Sequence, residues 1–143
     1  MKMTYALVVL ALLGGFSVTA DDAPSGRSKA PDGAQAYFIS PQDGATVSSP
    51  VTVVFGLKGM GVAPAGTVKA NTGHFHLLVD AELPPADKPI PNDAQHLHFG
   101  GGQIQTTLSL SPGRHSLQLL MGDAGHMSFD PPVASEKITI TVK

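Results

Sequence analysis

Glycine and proline set the limits on this chain. With 16 Gly and 12 Pro among 143 residues, turn clusters recur at short intervals, and the apolar segments after residue 35 are short with period two rather than 3.6. Seven such segments stand out: 36–40, 51–57, 73–80, 95–99, 103–110, 115–121 and 133–142. They are rich in Val, Ile, Thr and Leu and are separated by clusters such as Pro41-Gln42-Asp43-Gly44 and Ser111-Pro112-Gly113-Arg114. Short strands at turn-separated intervals, without a helical period, predict an all-β fold: an antiparallel immunoglobulin-like β-sandwich of about seven strands. Two longer connections are expected, a Gly-rich loop over 58–72 and a proline-stiffened one over 82–94 carrying Pro84, Pro85, Pro89 and Pro91.

The N-terminal end follows different rules. Lys2, an apolar run over residues 5–16 and the small residues Val18-Thr19-Ala20 form the pattern of a cleaved secretory signal, too short to span a bilayer. Residues 21–35 are Ala, Pro, Ser, Gly and Asp with a few charges and no apolar period, which predicts a flexible linker. The expected organisation is a signal peptide at 1–20, a linker at 21–35 and a β-sandwich domain at 36–143, in a periplasmic or secreted protein with no membrane span after cleavage. Loss of residues 1–20 takes one of nine basic residues and none of eleven acidic ones, so the formal charge goes from −2 to −3. With no basic run, two tyrosines and no tryptophan, nucleic acid is not an expected partner. The absence of cysteine excludes disulfides, thiolate ligands and thiol chemistry.

Four of the six histidines form two His-x-His pairs, His74-Phe75-His76 and His96-Leu97-His98, inside two of the predicted strands. Alternate residues on a strand share a face. Phe75, Leu77 and Val79, like Leu97 and Phe99, therefore point toward the core, and the imidazoles point away from it. Residues two apart lie about 6.6 Å apart along a strand, and facing residues on paired strands are about 4.5–5.5 Å apart at Cβ. If the two strands pair, they can offer three or four imidazole nitrogens to one ion, at Zn–N distances near 2.0–2.1 Å. Doubling of the motif favours a metal site over a solvated polar face. Without thiolates, copper(II) and zinc lead among metals.

His126, in the loop Gly125-His126-Met127, is read either as a solvated loop histidine or as one that closes over such a site, and the Met127 thioether beside it would shift preference toward copper(I). Met60 and Met121 are further thioethers, the latter on the core face with Leu117 and Leu119. His115 follows the Pro112-Gly113 turn and is read equally as a ligand or as a hydrogen-bonded structural histidine. Asp80 and Asp123 are candidates to orient an imidazole by hydrogen bonding, or else strand-end and turn aspartates. No Gly-x-Ser-x-Gly elbow or paired carboxylates support hydrolytic chemistry.

The stretch from Tyr37 to Val142 resembles the domain of unknown function family 4399, a family of small exported bacterial domains. The resemblance rests on Phe38-Ile39-Ser40-Pro41 with Asp43-Gly44, the run from Val53 to Gly61, Gly73-His74-Phe75-His76-Leu77-Leu78-Val79-Asp80, His96-Leu97-His98-Phe99-Gly100, Pro112-Gly113-Arg114-His115-Ser116-Leu117 and Pro131-Pro132-Val133. The family pattern often has a third histidine where Phe75 stands, which implies that this middle position is not an indispensable ligand. Copper–zinc superoxide dismutases also place His-x-His on a sandwich strand, but their cysteine pair is missing here. Cupins share His-x-His, an acidic residue and a later histidine, matched only loosely by His74, His76, Asp80 and His115.

The resulting expectation is a periplasmic module that binds copper or zinc for storage, delivery or sensing. His74, His76, His96 and His98 are the leading ligands, with His126, His115 and Met127 in reserve. Two alternatives use the same sequence: a small metal-dependent enzyme of oxidoreductase type, and a metal-free domain whose partner is another envelope protein.

Overall fold

A computed structural model of the chain describes residues 26–143. The expected signal peptide and the first part of the expected linker lie outside the described residues. Among the described residues there are nine strands and no helix: β1 Gln35–Ser40, β2 Thr46–Val47, β3 Val51–Lys58, β4 Gly61–Val62, β5 Thr72–Val79, β6 His96–His98, β7 Gln105–Leu108, β8 Gly113–Gly122 and β9 Ile138–Val142. Seven of these correspond to the predicted strands. The two extra ones, β2 and β4, are two-residue pieces that pair in parallel with β9 and β5, too short to leave a period in the sequence.

The strands form two sheets. One has the order β1-β3-β7; the other has β2-β9-β8-β5-β4, with β6 also paired to β5. The longer pairings are antiparallel, as the short turn-separated segments predict. The segment predicted as one strand over 133–142 is broken in two. Met121 N–H donates to Val133 O and Ser135 N–H to Leu119 O, and β9 then continues along β8 from Ile138.

Period two decides what fills the space between the sheets. β3 contributes Val51, Val53 and Phe55, β5 contributes Phe75, Leu77 and Val79, and β8 contributes Leu117, Leu119 and Met121, all buried. Phe55 stands at the centre, its ring centroid 5.1 Å from Phe75 and 5.0 Å from Phe99. Such tilted and edge-on contacts add about 0.5–1.5 kcal/mol each to simple burial.

The far face of the larger sheet departs from expectation. It carries the alternate residues His74, His76 and Leu78 of β5, and it is covered rather than solvated: His74 is 1% exposed and His76 0%. Leu78, Leu120 and Ile90 form a second, smaller apolar cluster there, joined by Ala81 and Ala134. Ile90 comes from the proline-rich connection between β5 and β6, which folds back over the sheet. The loop after β8 closes over the remainder. A single strand shows apolar residues on both faces only when loops cover the outer one, and loop placement leaves no period to read.

The start of the described chain is also tied down. Ala30 N–H donates to Asp130 O, Asp130 N–H to Ser28 O, and the Arg27 side chain donates to Ser128 O and Phe129 O. Residues 27–30, within the span expected to be a flexible linker, thus run beside residues 128–130.

Phe75→Ala removes the ring between the sheets and is expected to destabilise the domain by about 3–5 kcal/mol, read by urea unfolding. Phe75→Leu should cost less than half as much. Equal effects of the two would show that the ring is not packed in this core.

Candidate metal centre

β5 and β6 pair antiparallel with His76 opposite His98 and Leu78 opposite His96. Phe99 N–H donates to Phe75 O and Val79 N–H donates to Gln95 O, so the odd-numbered residues of β5 carry the ladder's hydrogen bonds. His76 and His98 are then a non-hydrogen-bonded pair, the type in which facing side chains come closest. Their ring centroids are 5.0 Å apart, as are those of His74 and His98, and those of His74 and His76 are 4.9 Å apart.

One ring nitrogen from each of these three histidines lies within 4.8 Å of the other two. His74 Nε2 and His76 Nε2 are 3.1 Å apart. Room for the rings comes from residues without a Cβ. His74 pairs across β8 with Gly122, where a Cβ would stand 2.9 Å from His76 Nε2 and 3.1 Å from His74 Nε2. Continuing the β5–β6 register puts Gly100 opposite His74, and a Cβ there would lie 2.8 Å from His98 Nε2. Any side chain at either position would push into the space the three rings share.

A fourth imidazole comes from the loop after β8. The His126 centroid is 5.1 Å from that of His74, 4.9 Å from that of His98 and 6.4 Å from that of His76. His126 has φ 64°, the left-handed region that non-glycine residues seldom occupy. Asp123 holds it there. Its Oδ1 accepts from the N–H groups of Gly125 and Met127, and its Oδ2 from Ser28 N–H and Ser28 Oγ. The turn is closed by His126 N–H donating to Asp123 O and Asp123 N–H to Met127 O.

Burial sets the charge of the cluster. Loss of solvent pushes the His74 pKa down to about 4, assisted by the neighbouring His98 and His126 and partly opposed by Asp123. His76 is pushed down to about 3, again by burial first and then by His74, His98, His126 and His96. Burial and His126 lower His98 as well. At neutral pH these rings are uncharged and present lone pairs. His76 Nδ1 and His98 Nε2 are buried without a hydrogen-bond partner, a condition that ordinarily costs about 1–3 kcal/mol per group. Uncharged imidazole with a free lone pair is the form that binds a metal ion.

The remaining candidates are placed elsewhere. His96 shares a face with His98 but lies opposite Leu78, because the antiparallel register is offset by two residues from one that would square the two pairs. Its Nδ1–H donates to Asp93 Oδ1 at 2.8 Å. His115 uses both ring nitrogens, with Nδ1–H donating to Asp80 Oδ2 at 2.7 Å and Nε2–H to Ser111 O at 2.9 Å. These bonds, that to Asp80 first, raise its pKa, and both ring nitrogens are engaged away from the cluster. Asp80 accepts from His115 and from Ser116 N–H rather than orienting a ring of the cluster. Asp123 organises the His126 turn through backbone groups. Met127 borders a separate cavity with Gly26, Arg27, Ala86 and Asp87, while Met60 and Met121 pack in the main core. Phe75 faces that core as well, so the middle position of the first motif points away from the cluster.

Gly100, Gly122 and Ser28 are contributors that sequence reasoning passed over. Gly100 follows the second motif directly and offered a local hint. Gly122 and Ser28 are significant only through the register and the turn they touch.

Fold and site together define a small β-sandwich protein with a buried polyhistidine cluster on the outer face of one sheet. The chain belongs to the family described as Domain of unknown function (DUF4399), which matches residues 53–143. That span contains all four clustered histidines, both glycines and Asp123, but not β1, β2 or Ser28. No curated protein matches the sequence. An endo-beta-1,4-mannanase from Thermotoga petrophila is similar in structure at 18% identity and a TM-score of 0.46, over 77% of this chain and 20% of that one. This chain therefore spans about a fifth of the mannanase's length.

A base whose pKa is lower when folded takes up protons on unfolding, so His74 and His76 favour the folded state above their unfolded value of 6.5. That contribution is lost as pH falls from 6.5 toward 4 and then 3. The His115–Asp80 pair acts oppositely near neutrality, since a raised histidine pKa stabilises below 6.5 and loses its effect as pH rises. Metal-free protein titrated from pH 7.5 to 4.5 is expected to lose stability, and a His74→Leu/His76→Leu variant to show a flatter profile. Identical profiles would contradict the neutral, buried state of these rings.

Proposed function

We propose that this domain is a metal-binding module that holds one copper(II) or zinc ion through His74, His76 and His98, with His126 closing the site. The observation that carries this reading is the convergence of three imidazole nitrogens within 4.8 Å, together with two buried ring nitrogens that have no protein partner. A cation can take a lone pair from each of three converging neutral imidazoles at once. An all-imidazole set without thiolate suits copper(II) and zinc, and the stability order among divalent ions favours copper(II).

The surroundings suit storage, delivery or sensing. His74 and His76 are held on a packed strand, whereas His98 and His126 are half-buried at the rim, so an ion can enter and leave on their side. Export is part of the proposal and rests on the signal-like residues 1–20. An immunoglobulin-like class is also proposed. It is supported by the order β1-β3-β7 against β2-β9-β8-β5, in which the first strand's continuation crosses to pair in parallel with the last.

A second reading, a small metal-dependent oxidoreductase, is favoured by one observation. His126 stands outside the tight group of three, with its centroid 6.4 Å from that of His76, and a three-histidine set with an open fourth position is a common catalytic arrangement. Turnover of superoxide or a small oxidisable substrate, abolished by chelation, would move the assignment to it.

Titration of metal-free protein with Cu(II) and with Zn(II) at pH 7.5 is expected to show one ion bound per chain. At a hundred times the dissociation constant the ion should add about 2.7 kcal/mol to stability. His74→Leu/His98→Leu should abolish the increment, and Gly122→Ala should weaken binding by crowding the rings. His115→Gln should leave binding unchanged. No stabilisation of the parent protein by either ion would refute the proposal; full stabilisation of the double variant would refute the ligand assignment.

A further inference from the structure

We infer that Asp123 and Ser28 are positioning residues for the metal site, and that the segment 27–30 latches the His126 turn so that the fourth imidazole meets the other three. The inference rests on the metal-binding reading above and extends it to residues that touch no ring of the cluster.

The turn of residues 123–127 has no apolar side chain anchoring its tip: Gly125 is exposed and His126 half-buried. Its shape comes from polar contacts. Asp123 is 5% exposed, and both of its carboxylate oxygens are occupied, Oδ1 by the N–H groups of Gly125 at 2.9 Å and Met127 at 3.0 Å, Oδ2 by Ser28 N–H at 3.1 Å and Ser28 Oγ at 2.9 Å. The first two bonds flank His126 on either side and hold it at φ 64°. The other two fix the carboxylate against a piece of chain 95 residues away in sequence.

That piece of chain is itself secured. Ala30 and Ser28 exchange backbone hydrogen bonds with Asp130, and Arg27 Nε–H donates to Ser128 O at 3.0 Å. On the opposite side, Ile90 N–H donates to His126 O at 2.8 Å, and Ile90 is anchored in the Leu78–Leu120 cluster. The His126 backbone therefore sits between a fixed β-face contact and a clamp made by residues 27–30. The first comes from the covering connection between β5 and β6, anchored through Ile90 on Leu78 and Leu120. The second depends on one serine, one aspartate and one arginine. Ser28→Ala removes the hydroxyl and leaves this buried carboxylate oxygen with the residue-28 N–H as its remaining Ser28 partner, which loosens the hold on a turn that keeps a non-glycine residue in the left-handed region.

Groups that orient ligands without touching the ion commonly change metal affinity 10–100-fold when substituted. Loss of the Ser28 hydroxyl acts on the His126 turn, so a Ser28 variant should resemble His126→Ala rather than a His74 variant, whereas Asp123→Asn also removes a carboxylate charge that acts on His74.

Cu(II) alone, bound to the full chain, is the probe. Its release to a chelator is expected to be at least about tenfold faster in Ser28→Ala and Asp123→Asn than in the parent. Nitrogen hyperfine structure in the electron paramagnetic resonance spectrum should show the ring count falling to that of His126→Ala. Ser28→Thr, which keeps the hydroxyl, should restore both release rate and spectrum. If Asp123→Asn fails to fold, Ser28→Ala and Arg27→Ala carry the test. Parental release rates and spectra in Ser28→Ala, beside an altered His126→Ala, would overturn the latch while leaving the metal site standing. A parent protein that binds no Cu(II) and no Zn(II) would overturn both.

Discussion

The pairing of β5 with β6 is the constraint on which the site depends. Had the two strands met one step out of register, His98 would face the opposite side of the sheet; had they met two steps away, it would have crossed a different residue. In the observed register His98 stands opposite His76 in a close, non-hydrogen-bonded pair, and the same register puts Gly100 opposite His74. Three rings then share a space that a single added methyl group, at residue 100 or 122, would begin to fill.

Burial turns this geometry into chemistry. A solvated face would let each imidazole bind water and titrate near its ordinary value. Here Ile90 and the connection that carries it, together with the loop after β8, cover the face, and His74 and His76 are driven to the neutral state. Both effects stem from one arrangement: the apolar Leu78 and Leu120 lie beside the histidines on the outer face and draw the proline-rich connection over them. Neutral, buried imidazoles with unpartnered ring nitrogens are unfavourable by themselves. Under the proposed function a cation would relieve that cost, tying the stability of the covered face to the occupant of the site.

Much of this was legible in the residues themselves. Period-two apolar segments between Gly and Pro clusters marked the seven principal strands, and the doubled His-x-His marked the region where the imidazoles cluster. His74, His76, His98 and His126 could be named because alternation and a loop position are local properties. What stayed illegible was long-range. His96 shares every local feature of His98 and stands outside the three-ring group because Leu78, not a histidine, is its cross-strand neighbour, and because Asp93 three residues earlier accepts its ring N–H. His115 carried two equal readings until Asp80, 35 residues away, proved to hold it. Gly122 looks like any glycine at a strand end until His74 is seen across from it. Ser28 sits in a composition that suggests a linker, and only the turn of Asp123 gives it a role.

The proposed metal centre is defined by place: one cation among His74, His76 and His98. Anomalous difference diffraction at the copper or zinc edge, from crystals of metal-loaded protein, tests this most directly. One strong peak is expected within bonding distance of a ring nitrogen of each of these three residues, with His126 beside it. A peak at His96 and Asp93 or at His115 and Asp80, or density for three empty rings in protein shown by elemental analysis to carry the metal, would contradict it.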